Sequence, residues 1–110
     1  MGGAGCAEGY VRIFMKTDNI KEVKMDSSGR LCVYPEKEKF TGVWQTATEV
    51  HWNEKELCLY SPIPRDWSYF EWYKHIINVI KNECYCDLLL VDGTLWTDIP
   101  ESLKEQILTD

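Results

Sequence analysis

The segment YSPIPRDWSYFEWYKH, residues 60–75, decides how this chain folds. Five of the fourteen aromatic residues fall between positions 67 and 73: Trp67, Tyr69, Phe70, Trp72 and Tyr73. Pro62 and Pro64 fix their own φ angles and push the residues before them toward extended backbone, so SPIPRD reads as a stiff connector. A helix starts directly after it. Ser68 and Glu71 have the spacing of a capping box, and Trp67 and Trp72 that of a hydrophobic staple. At about 100° per residue, Tyr69, Phe70, Trp72, Tyr73, Ile76, Ile77, Val79, Ile80 and Cys84 share one half of the wheel. Ser68, Glu71, Lys74, His75, Asn78, Lys81 and Asn82 share the other, and Glu83 intrudes on the apolar half only at the end. The pattern predicts one helix over about 68–84, lying flat across a sheet.

Upstream the chain reads as strands and turns. From Tyr10, the residues Val11, Ile13 and Met15 alternate with Arg12 and Lys16, a strand pattern. Asp18-Asn19 reads as a turn, followed by a strand over Ile20–Met25, the turn Asp26–Gly29 and a strand over Arg30–Tyr34. Residues 35–42 form a polar loop. The longest alternation is at 44–52, where Trp44, Thr46, Thr48, Val50 and Trp52 lie on one face and Gln45, Ala47, Glu49 and His51 on the other. NEKE at 53–56 turns the chain into a strand over Leu57–Ser61. The segments EVKMDSSGRLCVYP (22–35) and EVHWNEKELCLYSP (49–62) echo one another, with one residue's difference in the turn. Two hairpins meeting the same demands explain the echo, and a duplicated hairpin is the alternative.

Downstream, LLLV at 88–91 reads as a central strand covered on both faces. Asp92-Gly93 turns, Leu95–Thr97 pairs briefly, and Pro100 starts a short last helix with Leu103, Ile107 and Leu108 facing inward. The expected fold is α+β: a mostly antiparallel, hairpin-built sheet with one long helix on one face and a short C-terminal helix. Residues 1–9, glycine-rich, read as a loose N-terminus and 10–110 as a single domain.

Composition narrows the function classes. The net charge is −6, which removes the basic footprint of nucleic-acid binding and disfavours anionic membranes. No apolar run approaches the ~18 residues of a membrane span, and MGGAGCAEGYVRIF lacks the charged region and apolar core of a secretion signal. The expectation is a cytoplasmic protein whose five cysteines are reduced. The acidic balance also suits a basic protein partner, as in an immunity or antitoxin factor.

Each candidate for chemistry has a plainer structural reading. Cys84 and Cys86 lack the second cysteine pair that structural zinc uses, and Cys32 and Cys58 lie in separate strands, so no metal site or cofactor is expected. Glu71 and His75 are one helical turn apart but fall on the wet arc, as a solvated pair. No nucleophile motif or phosphate-cradling glycine loop is present, so no catalytic residue is assigned and an enzyme is not expected. The aromatic cluster either fills the core or lines a pocket. In the pocket reading, Trp52, Tyr60, Trp67 and Trp72 supply stacking surface, and Glu49 and His51 orient a small apolar or aromatic ligand, or a peptide, between sheet and helix. The aromatic excess and uncovered strand edges predict self-association, with a homodimer as its simplest form.

The stretch WQTATEVHWNEKELCLYSPIPRDWSYFEWYKHI, from Trp44 to Ile76, resembles the short, orphan-like proteins carried on environmental integron gene cassettes. The resemblance rests on Trp44, Trp52, Ser61-Pro62, Trp67 and Trp72. It implies a soluble bacterial protein with a compact α+β fold, frequent self-association and no assigned activity. It brings no catalytic residues to carry over.

Overall fold

A computed structural model of the chain describes residues 16–41, 43, 48–63 and 65–110. The N-terminus at 1–9, the alternating segment at 10–15 and residues 44–47 of the long alternation lie outside the described residues. Among the described residues, six strands form one mixed sheet: β1 (Lys16–Met25), β2 (Leu31–Pro35), β3 (His51–Asn53), β4 (Cys58–Tyr60), β5 (Cys86–Leu89) and β6 (Leu95–Thr97). Two helices among the described residues, α1 (Tyr69–Cys84) and α2 (Glu101–Thr109), complete an α+β fold. The strand order is β3-β4-β2-β1-β5. β1–β2, β2–β4 and β3–β4 are antiparallel. β5 and β6 run parallel to β1, pairing with Lys16–Asn19 and Glu22–Lys24 respectively.

Both hairpin turns use an Asx side chain to collect backbone amides. The Asp26 carboxylate accepts the N–H groups of Ser28 (2.9 Å) and Arg30 (2.8 Å), and Gly29 supplies the left-handed residue at φ +89°. Asn53 Oδ1 accepts from Lys55 (2.9 Å) and Glu56 (3.0 Å), with Leu57 in the left-handed position at φ +59°. The sequence echo does not extend to register. Val23 pairs with Val33, whereas Leu59, which stands where Val33 does in the echo, pairs with Trp52 rather than Val50. The two hairpins therefore meet similar demands with different pairings.

Helix α1 begins as its sequence requires. Ser68 Oγ accepts the Glu71 N–H at 3.1 Å, and the Glu71 carboxylate accepts the Ser68 N–H at 2.9 Å. Trp72, Tyr73, Ile76, Val79 and Ile80 are buried and form one core with Ile20, Val23, Val33 and Leu59 from the sheet and Leu103 and Ile107 from α2. Burying each aliphatic side chain contributes about 1.5–3 kcal/mol. Leu108, one residue and about 100° past Ile107, is exposed rather than inward. No helix of the described residues is long and apolar enough to cross a membrane.

Three local expectations change. Asp18-Asn19 is not a turn: β1 runs through it, from Lys16 to Met25. The Asp18 carboxylate is buried and accepts the N–H groups of Asn19, Lys37 and Glu38, each at 2.9 Å. The polar pair thus anchors the loop after β2. The alternation at 44–52 does not continue as a strand through 49, because Glu49 adopts φ +66° and breaks the extended chain; β3 holds only His51–Asn53. The LLLV segment is not central among the described strands. β5 ends their order, burying Cys86 and Leu88 while Leu89 faces solvent.

Asp18→Ala should lower stability by about 1–3 kcal/mol, the usual cost of removing a charged acceptor from buried donors. Urea denaturation with an unchanged m-value checks this. A loss below about 0.5 kcal/mol, the range of ordinary surface substitutions, would mean that the carboxylate does not organise the loop.

Candidate functional site

The connector from β4 to α1 builds a recess. Ser61 is fully buried, its hydroxyl accepting the Leu31 N–H at 3.2 Å and donating to the Pro62 carbonyl at 2.8 Å. This fixes the direction in which the stiff segment leaves the sheet. The chain then brings Trp67 back onto Trp72, with ring centroids 4.8 Å apart and planes tilted by 51°. His75, one turn further on, meets both indoles edge-on, at 5.0 Å from Trp67 and 5.4 Å from Trp72. Its Nε2 lies 3.0 Å from the Thr48 carbonyl. A carbonyl only accepts, so Nε2 carries the proton and ties α1 to the chain before β3. The next residue, Glu49, is the left-handed one.

These groups border an open recess of about 390 Å³, lined further by Pro62, Ile63, Arg65 and Asp66. Trp67 is 42% exposed there, while Trp72 is buried behind it. The recess lining combines π surface with charges of both signs. Glu71 does not orient His75: its carboxylate serves the helix cap, and the imidazole is held by Thr48 instead.

Of the six residues expected to bind ligand, the structure brings Glu49, Trp67 and Trp72 together. Trp52 lies apart, half-buried, with its ring edge-to-face on Phe40 at 5.9 Å and its Nε1 donating to Glu54 at 2.9 Å. Tyr60 and His51 pair across β3 and β4 and stack at 5.3 Å with a 29° tilt. Strand alternation puts them on the sheet face opposite Leu59, away from α1. Sequence reasoning missed His75, Arg65 and Asp66. The signal for His75 was its i+3 spacing from Trp72, which sets it beside the apolar stripe.

The face of the sheet away from α1 carries a second, larger cavity of about 590 Å³, lined in part by Lys24, Arg30, Cys32, Tyr34 and Tyr60. The Arg30 guanidinium sits 5.6 Å above the Tyr60 ring. Cys32 and Cys58 belong to the paired strands β2 and β4 and are both buried. The Cys32 thiol donates to the Arg30 carbonyl at 3.8 Å, and its interaction with Cys58, together with burial, holds the Cys32 proton tightly. The same interaction, joined by one with Tyr34, draws the Cys58 thiol below its ordinary value against the opposing effect of burial. Among the described residues no group of three or more His, Cys, Asp or Glu side chains is placed to hold a metal ion.

The fold and its recess define a small mixed-sheet α+β protein with an aromatic-walled niche at the start of its long helix. The chain matches the family model of the integron cassette protein Hfx_Cass5 over residues 18–94. It is also similar to a solved structure described as from the mobile metagenome of North West Arm Sewage Outfall, Integron Cassette Protein Hfx_Cass5, at 33% identity. That match covers 86% of this chain and 95% of the other, with a TM-score of 0.46. The chain belongs to the Hfx_Cass5 family of integron cassette proteins. No curated protein matches it.

The four described cysteines are free and differ in access. Burial pushes Cys86 up to about 11, and it raises the half-buried Cys84 as well. Alkylation of the folded protein near pH 8, followed by peptide mass spectrometry, should label Cys84 well before Cys86. Equal rates would show that β5 opens readily and that Cys86 is not packed as described.

Proposed function

We propose that the protein is a binding module that holds a small apolar or aromatic molecule in the recess formed by Trp67, Trp72 and His75. The observation that carries this reading is the convergence of three aromatic rings, each about 5 Å from the others, around an accessible hollow rather than around core atoms alone. A planar ligand that slides against Trp67 gains offset or edge-to-face contact worth about 0.5–1.5 kcal/mol beyond its area burial. The recess volume of about 390 Å³ lies in the range of small-molecule sites, about 300–1,000 Å³.

Two features add support. Glu49 is a non-glycine residue held at φ +66° beside the recess, and strained backbone of this kind persists where the surroundings hold it, often at ligand sites. Arg65 and Asp66 flank the indoles with opposite charges. They provide polar partners for a substituent on an otherwise apolar ligand.

A thermal-shift screen over aromatic and heteroaromatic compounds tests the reading, since a ligand at about 100 times its Kd stabilises by about 2.7 kcal/mol. Hits should quench tryptophan fluorescence, and Trp67→Ala should weaken their binding at least about tenfold, or about 1.4 kcal/mol, while the exposed position keeps the variant folded. A panel that shifts nothing, or hits that bind Trp67→Ala unchanged, would remove the proposal.

A further inference from the structure

On the sheet face opposite that recess, we infer that Cys32 and Cys58 form a two-coordinate site for a soft, thiophilic metal ion such as Cu(I), Ag(I) or Hg(II). The register places the two thiols. Cys32 stands opposite Tyr60 and Val33 opposite Leu59, so Cys58 falls opposite Tyr34, diagonal to Cys32 on the same face. Diagonal neighbours on antiparallel strands lie about 7–8 Å apart at Cα. That exceeds the roughly 4.4–6.8 Å that a disulfide spans. It suits a linear S–M–S bridge, whose sulfurs stand about two metal–sulfur bonds of ~2.3 Å apart.

The register sets both side chains on one face of the paired strands, and each thiol shifts the acidity of the other, as near neighbours do. They are 5% and 2% exposed, in a dry setting where water competes poorly with thiolates for a soft ion. The cavity of about 590 Å³ that Cys32 lines gives an ion a route to the pair. The absence of a third His, Cys, Asp or Glu ligand among the described residues points to an ion content with two bonds and away from tetrahedral zinc.

Loading breaks two S–H bonds, releases two protons to solvent and forms two metal–sulfur bonds, with no change in oxidation state. With a monovalent ion the bridge carries one negative charge. Lys24 and Arg30 line the cavity and offset it, while Asp26, Glu56 and Asp98 act in the other direction. Tyr34, a neighbour of Cys58, is placed to hydrogen-bond the same sulfur once the metal is bound.

The test uses the reduced full-length chain without oxygen. Cu(I) is titrated in competition with a chromophoric Cu(I) chelator, and thiolate-to-metal absorption is followed in the ultraviolet. The native chain and Cys84→Ser should each bind one equivalent. Cys32→Ser and Cys58→Ser should each weaken binding by more than the roughly 10- to 100-fold that loss of an outer-shell partner costs. X-ray absorption of the loaded native chain, which needs no variant to fold, should show two sulfur neighbours. Unchanged affinity in either serine variant, three or more sulfur neighbours, or transfer of all copper to the chelator would overturn the inference.

Discussion

The parallel alignment of β4 and β5 constrains everything else in this protein. β4 is antiparallel to β2, β2 to β1, and β1 parallel to β5, so the chain must leave one end of β4 and be carried back to the opposite end of the sheet before it can make β5. A hairpin cannot do that; a crossover of a dozen or more residues can. Here β2 and β1 lie between the two strands, so the crossover spans the middle of the sheet. Helix α1 is that crossover, and its apolar stripe has to rest on Ile20, Val23, Val33 and Leu59. One sheet face is thereby committed to the core. The other is left with Cys32, Tyr34, Cys58 and Tyr60, the residues that alternate with the buried ones.

The helix was legible because its signals are local. Ser68 and Glu71 close a cap on one another, Trp67 reaches Trp72, and the wheel sorts the rest. The turns at Asp26 and Asn53 were legible for the same reason, since each side chain binds amides two to four residues on. Asp18 misled because its partners are Lys37 and Glu38, far along the chain. A polar pair that looks like a turn can equally be a buried anchor, and only tertiary contact distinguishes them. The position of β5 was hidden too: a run of apolar residues signals burial but not whether the strand is central or at the end of the sheet.

The site was half legible, and one backbone angle accounts for much of the difference. Strand alternation places Glu49 with His51 and sets Trp52 beside Val50. The left-handed turn at Glu49 breaks that periodicity, sending Glu49 to the recess while His51 goes to the opposite face of the sheet to stack on Tyr60. Nothing in the residue type announces it, because glutamate has no preference for positive φ. His75 was assigned to the wet arc by the wheel, yet it sits at the boundary of the stripe, where the Thr48 carbonyl and two indoles half-bury it.

The aromatic density around residue 70 is therefore neither all core nor all pocket. Trp72 and Tyr73 are buried, Tyr69 spends its hydroxyl on the Gly29 carbonyl at 2.9 Å, and Phe70 lies under the Lys74 ammonium at 4.6 Å. Only Trp67 remains substantially open, and it is the outer half of the staple that starts the helix. The same indole pair that fixes the direction of α1 forms the wall of the recess. A molecule bound there would rest on the joint between sheet and helix and would favour only states in which that joint is made. Occupancy and the integrity of the crossover are thus coupled through Trp67 and Trp72, without any moving part.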